Sequence, residues 1–264
     1  MDIKYTIEPV KTSKDEIKSP KLAELGVIPK INSSIIIVGK SGSGKSVLLH
    51  NLLTRKEFYN KYEYFDKIIL ISPTAEQDDV QKSLDIPESC VFTDLDEAII
   101  ALRKIEEFQE AEIKKKGSAK AKKFCIIFDD CVGNKKFMNS PEFISCFIKA
   151  RHYNATVIFL SQHFKRLPKV CRLQASFLCF FAISNTEAIA LSEEFAPPGV
   201  TTKEFMRLID DVLSEPYQFL SINMKDPWPT RFRKGLAETI NLDLYRKNTT
   251  SQIHSGPSSS SQNR

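Results

Sequence analysis

The sequence predicts an α/β domain built on a mostly parallel central β-sheet flanked by helices. Three observations carry that expectation. Apolar runs of strand length recur along the chain, helical patterns separate several of them, and one strand-to-helix junction carries a complete phosphate-binding motif. Runs that are apolar at every position suit strands covered on both faces, as in a parallel sheet.

The elements follow in chain order. Residues 1–33 are polar, with Pro9, Pro20 and Pro29, and read as an extended lead-in. Strands are expected at 34–38, 67–71, 124–128, 156–160 and 177–183. A helix is expected over 46–53. A second has Leu95, Ala98, Ile99, Leu102 and Ile105 at helical spacing, with Thr93 and Asp94 at its start. Ser140-Pro141 reads as an N-cap followed by proline at the first helical position. Thr201 and Glu204 have capping-box spacing ahead of Phe205, Leu208 and Ile209. The α/β domain is therefore expected over 34–246. The serine-rich tail 247–264 has almost no apolar content and reads as disordered.

Composition narrows the classes. The 264 residues are 42% hydrophobic and 27% charged, which is ordinary for a globular domain. A net charge of +5 permits a polyanionic partner without demanding one. No apolar run approaches the length of a membrane span and Met1-Asp2-Ile3-Lys4 does not open a secretory signal, so no membrane anchor is expected. Six cysteines show no CxxC pair, and several lie in apolar runs. Buried reduced thiols in a cytoplasmic setting fit better than a disulfide framework or a zinc site.

The strongest chemical signal is Gly39-Lys40-Ser41-Gly42-Ser43-Gly44-Lys45-Ser46, which satisfies G-x-x-x-x-G-K-[ST] between a strand and a helix. Its glycines let successive backbone N–H groups curl around phosphates, and the following helix adds its positive end. Lys45 supplies a point charge to the β- and γ-phosphates of ATP, and Ser46 offers a hydroxyl to Mg²⁺. With Val47 just beyond, this segment forms the expected nucleotide site of a P-loop NTPase. Further along, Phe124-Cys125-Ile126-Ile127-Phe128 runs into Asp129-Asp130. An acid at the end of such a strand orders Mg²⁺, the role expected of Asp129. Asp130 is the candidate base for the attacking water. As an aspartate, Asp130 is one methylene shorter than a glutamate base would be. Ser161-Gln162 closes the strand at 156–160. Gln162 either touches the γ-phosphate or merely ends the strand.

Lys149-Ala150-Arg151 and Ser161-Gln162, with the separation between them, resemble the FtsK–HerA superfamily of DNA-translocating ATPases. Within it, the Asp-Asp pair and the run from Arg151-His152-Tyr153-Asn154 through Phe159-Leu160-Ser161-Gln162 are most similar to genome-packaging ATPases of large DNA viruses, virophages and Polinton-like elements. The resemblance covers roughly residues 30–225. It implies a RecA-like sheet, ATP hydrolysis, a homo-oligomeric ring, and sequence-independent contact with double-stranded DNA. It also implies capsid or portal-vertex partners and work at a viral assembly site in host cytoplasm, in association with the virion. It makes Arg151 the finger that reaches a neighbouring subunit's nucleotide, with Arg172 in reserve.

Two basic clusters, Lys114–Lys116 with Lys120, Lys122 and Lys123, and Lys165, Arg166, Lys169 and Arg172, are each either a solvated surface or a DNA contact. Trp228, between two prolines, reads as a packing residue. Another translocase or helicase of the superfamily, a nucleotide-gated scaffold without motor activity and, more weakly, a small-molecule kinase stay open as alternatives.

Overall fold

Successive side chains on a strand leave on opposite faces, and in the middle of this chain both faces are apolar. The computed structural model, which describes residues 18–75 and 82–246, resolves that pattern into one sheet with a core on each side. Its strands are β1 (Ser34–Val38), β2 (Lys67–Ile71), β3 (Val91–Phe92), β4 (Phe124–Asp129), β5 (Ala155–Ser161), β6 (Phe177–Phe180), β7 (Leu220–Asn223), β8 (Phe232–Lys234) and β9 (Glu238–Thr239). They lie in the order β3-β2-β4-β5-β1-β6-β7-β8-β9. The pairings from β3 to β6 are parallel, and β7, β8 and β9 add an antiparallel margin. The mostly parallel α/β class expected from sequence is borne out.

One core gathers Ile36, Val38, Ile126, Phe128, Val157 and Phe159 under the helices Leu95–Lys116, Pro141–Lys149, Asn185–Phe195 and Thr202–Val212. The other gathers Ile35, Ile37, Cys125, Ile127, Ile158 and Leu160 under the helix Lys45–Thr54. Phenylalanines are concentrated in the first. The Phe128 ring centroid lies 5.0 Å from that of Phe143, which lies 5.9 Å from Phe159, within the range where aromatic pairs attract beyond their area. Each such fully buried ring contributes about 1.5–3 kcal/mol through burial, so the acid-bearing β4 rests on a stiff layer.

The helix starts read from sequence are also met. Asp94 accepts from the N–H groups of Asp96 and Glu97, Ser140 accepts from Phe143, and Thr201 with Glu204 completes a capping box. All six cysteines are free thiols, five of them buried. Burial pushes the Cys125 and Cys179 thiols upward, and that of Cys171 to about 12.

Other expectations need correcting. Residues 18–33 are not an extended lead-in: Lys21–Glu24 makes a helical turn, and Ala23, Ile28 and Ile31 enter the second core. The carbonyl of Gly26 accepts from Asn223 at 3.2 Å and Arg233 at 2.6 Å, tying this segment to the antiparallel margin. Residues 1–17 of the lead-in and the tail 247–264 lie outside the described residues. Strand β6 stops at Phe180 rather than continuing to 183. Lys114–Lys116 close the helix Leu95–Lys116, where cations suit the carbonyl end. Trp228 does pack, stacked 6.2 Å from Phe232 with the Arg231 guanidinium 3.9 Å from its ring.

Asn154 sets the entry to β5. It is fully buried with φ 49°, a left-handed conformation that asparagine tolerates better than most residues. Its Oδ1 accepts from Asn32 at 3.1 Å and Ser118 at 2.8 Å, and its Nδ2 donates to the Ser118 carbonyl at 2.6 Å. Asn154→Ala should therefore lower unfolding free energy by about 2–4 kcal/mol, since it strands buried partners. Asn154→Gly should be less costly by about 1 kcal/mol because it relieves the backbone. Urea titration of the two variants checks both the loss and its order.

Candidate nucleotide-binding site

Strand order alone brings the chemistry together. Parallel strands β4, β5 and β1 are neighbours, so the residues leaving their C-terminal ends meet at one edge of the sheet. Val38 pairs in register with Ser161, and Asp129 with Leu160. The loop 39–46, Asp129, Asp130 and Gln162 consequently share that edge.

The loop is held by its first two residues. Gly39 donates its N–H to the Ser161 carbonyl at 3.1 Å, and Lys40 donates to the Ala182 carbonyl at 2.9 Å. One bond reaches the end of β5 and the other the chain just beyond β6. Beneath the loop lies Phe181, which sequence reasoning absorbed into a strand. A Cβ on Gly39 would fall 2.7 Å from the Phe181 Cβ and 2.6 Å from the Ser43 Oγ, so only glycine fits there. Gly44 has φ 107° and lies over the same ring. Phe181 is itself braced by Phe219, with ring centroids 4.8 Å apart.

The donor set fits a polyphosphate with a divalent cation. Gly42 has φ 72° with open space where a side chain would stand, and the Ser43 hydroxyl is buried without a hydrogen-bond partner among the described residues. Lys45 and Ser46 open the following helix, while Val47 is 55% exposed. The Lys45 ammonium presently folds back to the Lys40 carbonyl at 3.0 Å. Ser46 and Asp129 are the hydroxyl and carboxylate that would hold Mg²⁺. Asp129 is buried at the end of β4, whereas Asp130 is exposed, with φ 51° at the turn that follows. Gln162 is exposed at the tip of β5, in a turn where Ser161 Oγ accepts from the His163 N–H at 2.9 Å.

Arg151 is not part of this group. It is exposed just past the Pro141–Lys149 helix, at the opposite end of β5. The seven residues of β5 span about 20 Å at ~3.3 Å each, more than an arginine reaches. The helix end is fixed by Lys149, which donates to Glu106 at 2.7 Å, as does the Tyr153 hydroxyl. Nearby, Lys225 is drawn below the usual lysine value by burial and then by the charges of Arg151 and Lys30. Arg172, the reserve, is unsuitable. It is buried and ion-paired with Glu194, donates to the Lys165 and Leu167 carbonyls, and stacks on Phe164. It also leaves the second basic cluster, in which Lys165, Arg166 and Lys169 remain exposed.

The family model of the poxvirus A32 protein matches residues 28–216. DNA packaging protein OPG160 of Monkeypox virus is 28% identical over 163 residues, 60% of this chain and 51% of that protein. Uncharacterized protein 015R of Frog virus 3 is 25% identical over 155 residues, 58% of this chain and 45% of its own length. The chain thus spans about half the length of these relatives. Among solved structures, the genome packaging NTPase B204 from Sulfolobus turreted icosahedral virus 2, in complex with AMP, superposes with a TM-score of 0.50. It is 16% identical, covering 76% of this chain and 96% of that one, which speaks for a shared fold.

The packing beneath the loop makes a graded prediction. Gly39→Ala should weaken Mg·ATP binding by about tenfold or more, because overpacking at such a site costs about 1–3 kcal/mol and distorts the cradle itself. Gly42→Ala, with room for its methyl, should carry only the backbone penalty of about 1–2 kcal/mol. Calorimetric titration of both variants tests the order.

Proposed function

The chain belongs to the poxvirus A32 protein family, and from that premise we propose that it is an ATP-hydrolysing motor that packages viral double-stranded DNA into a capsid. One observation carries the reading furthest. The phosphate loop, the two acids and Gln162 meet at one edge of the sheet, while Arg151 stands at the other. A site so divided can be completed by Arg151 of a second copy, which supports a homo-oligomeric ring as the working form. The DNA packaging protein of Monkeypox virus among the relatives supports packaging as the purpose.

Each residue then has a task. Backbone N–H groups of 39–46 and Lys45 bind the triphosphate, and Ser46 and Asp129 would hold Mg²⁺, which would supply positive charge to the phosphates. Asp130, exposed beside Asp129, accepts the proton of the attacking water. Gln162 contacts the γ-phosphate, and its loss on hydrolysis is sensed at the tip of β5. Arg151 of a neighbouring copy stabilises charge on the transferred phosphoryl group, a contribution of about 10³–10⁵ in rate for such fingers. Lys165, Arg166 and Lys169 follow Gln162 within a few residues and grip phosphates of the duplex without reading sequence. The motor works with capsid or portal-vertex proteins at the assembly site in the host cytoplasm.

Steady-state ATP hydrolysis, with and without linear double-stranded DNA, tests this directly. DNA should stimulate turnover, and Lys45→Ala and Arg151→Ala should each reduce it by about a hundredfold or more. Mixing the two variants should restore part of the activity, since an Arg151→Ala subunit keeps its loop and a Lys45→Ala subunit keeps its arginine. Assembled protein that binds ATP without hydrolysing it would overturn the motor and favour a nucleotide-gated scaffold.

A further inference from the structure

Beside the phosphate loop the chain holds an aromatic ring with little to pack on. After the helix Thr202–Val212, residues 213–218 turn back toward β7 across a cavity of about 410 Å³. Lys40, Ser43 and Ala182 line it together with Leu213, Pro216 and Tyr217. Tyr217 has φ 63°, a left-handed backbone that a bulky residue normally avoids. It is nevertheless 73% exposed. Its Cδ1 comes within 3.6 Å of where a side chain on Gly44 would begin, so the ring stands directly over the second half of the loop.

We propose that Tyr217 is the base clamp of the site: the purine of the bound nucleotide stacks on its ring inside this cavity while the triphosphate runs into 39–46. The proposal rests on the reading of that loop as a triphosphate site and adds the part that would hold the nucleoside. Three features support it. Strained backbone conformations concentrate at ligand clamps, where the surroundings hold them in place. Here those surroundings include Phe219, two residues on, packed against the same Phe181 that underlies the loop. The turn and the phosphate loop therefore rest on one pair of rings, which fixes their spacing. The cavity is also of the size that takes a nucleoside-sized ligand, and its phosphate-side wall is the loop itself.

Stacking on an aromatic face tolerates any base with a π-surface. ATP and GTP should accordingly both depend on Tyr217, and inorganic tripolyphosphate should not. The experiment is equilibrium titration of the full chain with Mg²⁺ and each of these three ligands, for the wild type, Tyr217→Ala and Tyr217→Phe. Tyr217→Ala should weaken ATP and GTP by about tenfold, and Tyr217→Phe by no more than about twofold, as base stacking elsewhere behaves. Tripolyphosphate should bind all three proteins alike. Unchanged ATP affinity in Tyr217→Ala would overturn the clamp while leaving the phosphate loop intact. An equal loss for tripolyphosphate would also overturn it, by showing that Tyr217 shapes the loop rather than holding a base. A wild type that binds neither nucleotide nor tripolyphosphate would overturn the triphosphate reading beneath it.

Discussion

Two backbone hydrogen bonds, from Gly39 to Ser161 and from Lys40 to Ala182, fix the phosphate loop between the strands on either side of β1. The rest of the site depends on that attachment. Through the first bond the loop is indexed to the tip of β5, where Gln162 stands, and through β5 to Asp129 on β4. Through the second it is seated over Phe181, which leaves room for glycine alone at position 39. Those two bonds use main-chain atoms, so the loop's attachment is a property of the sheet, while its shape and chemistry depend on a few residues, Gly39 among them.

The sheet in turn is stiffened unevenly. Its Phe128 face carries a cluster of interlocked rings, including Phe137, Phe143, Phe147 and Phe159, whereas the opposite face is mainly aliphatic. The acid strand and β5 share the aromatic side. Strand β5 is also fixed at its start by the buried Asn154 network and by the Glu106 contacts of Lys149 and Tyr153. Burial opposes ionisation of Glu106, yet its hydrogen bonds from Lys149 and Tyr153 keep it below the ordinary carboxylate value. Gln162 at one end of β5 and Arg151 at the other are thus separated by a rigid spacer.

Much of this is legible in the sequence, for identifiable reasons. The central strands are apolar at every position, a pattern with few competing interpretations, and the phosphate loop needs a fixed set of residue types. Caps such as Ser140 and Thr201 are local, so their signals sit within four residues. What escaped depends on distant partners. Strands β7 and β8 bury Ser221, Asn223 and Arg233, which look like loop residues until Gly235, Gly26 and Asp226 are seen to satisfy them. Arg172 reads as a surface cation in sequence, and only Glu194, 22 residues on, shows it to be structural. Phe181 lies in an apolar run that gives no sign of where the strand stops. Tyr217, in Glu-Pro-Tyr-Gln, carries no pattern at all, because its position is set by a turn between elements far apart in the chain.

The margins of the sheet carry a consequence for assembly. Among the described residues both outermost strands, β3 and β9, are only two residues long. A short edge leaves few unpaired N–H and C=O groups, which blunts the tendency of one sheet to zip onto another. Among the described residues, then, neither outermost strand offers a long template for adding a strand from another copy. In the proposed ring, contacts between copies would fall instead to side chains on helices and loops, which specify an angle as well as a partner.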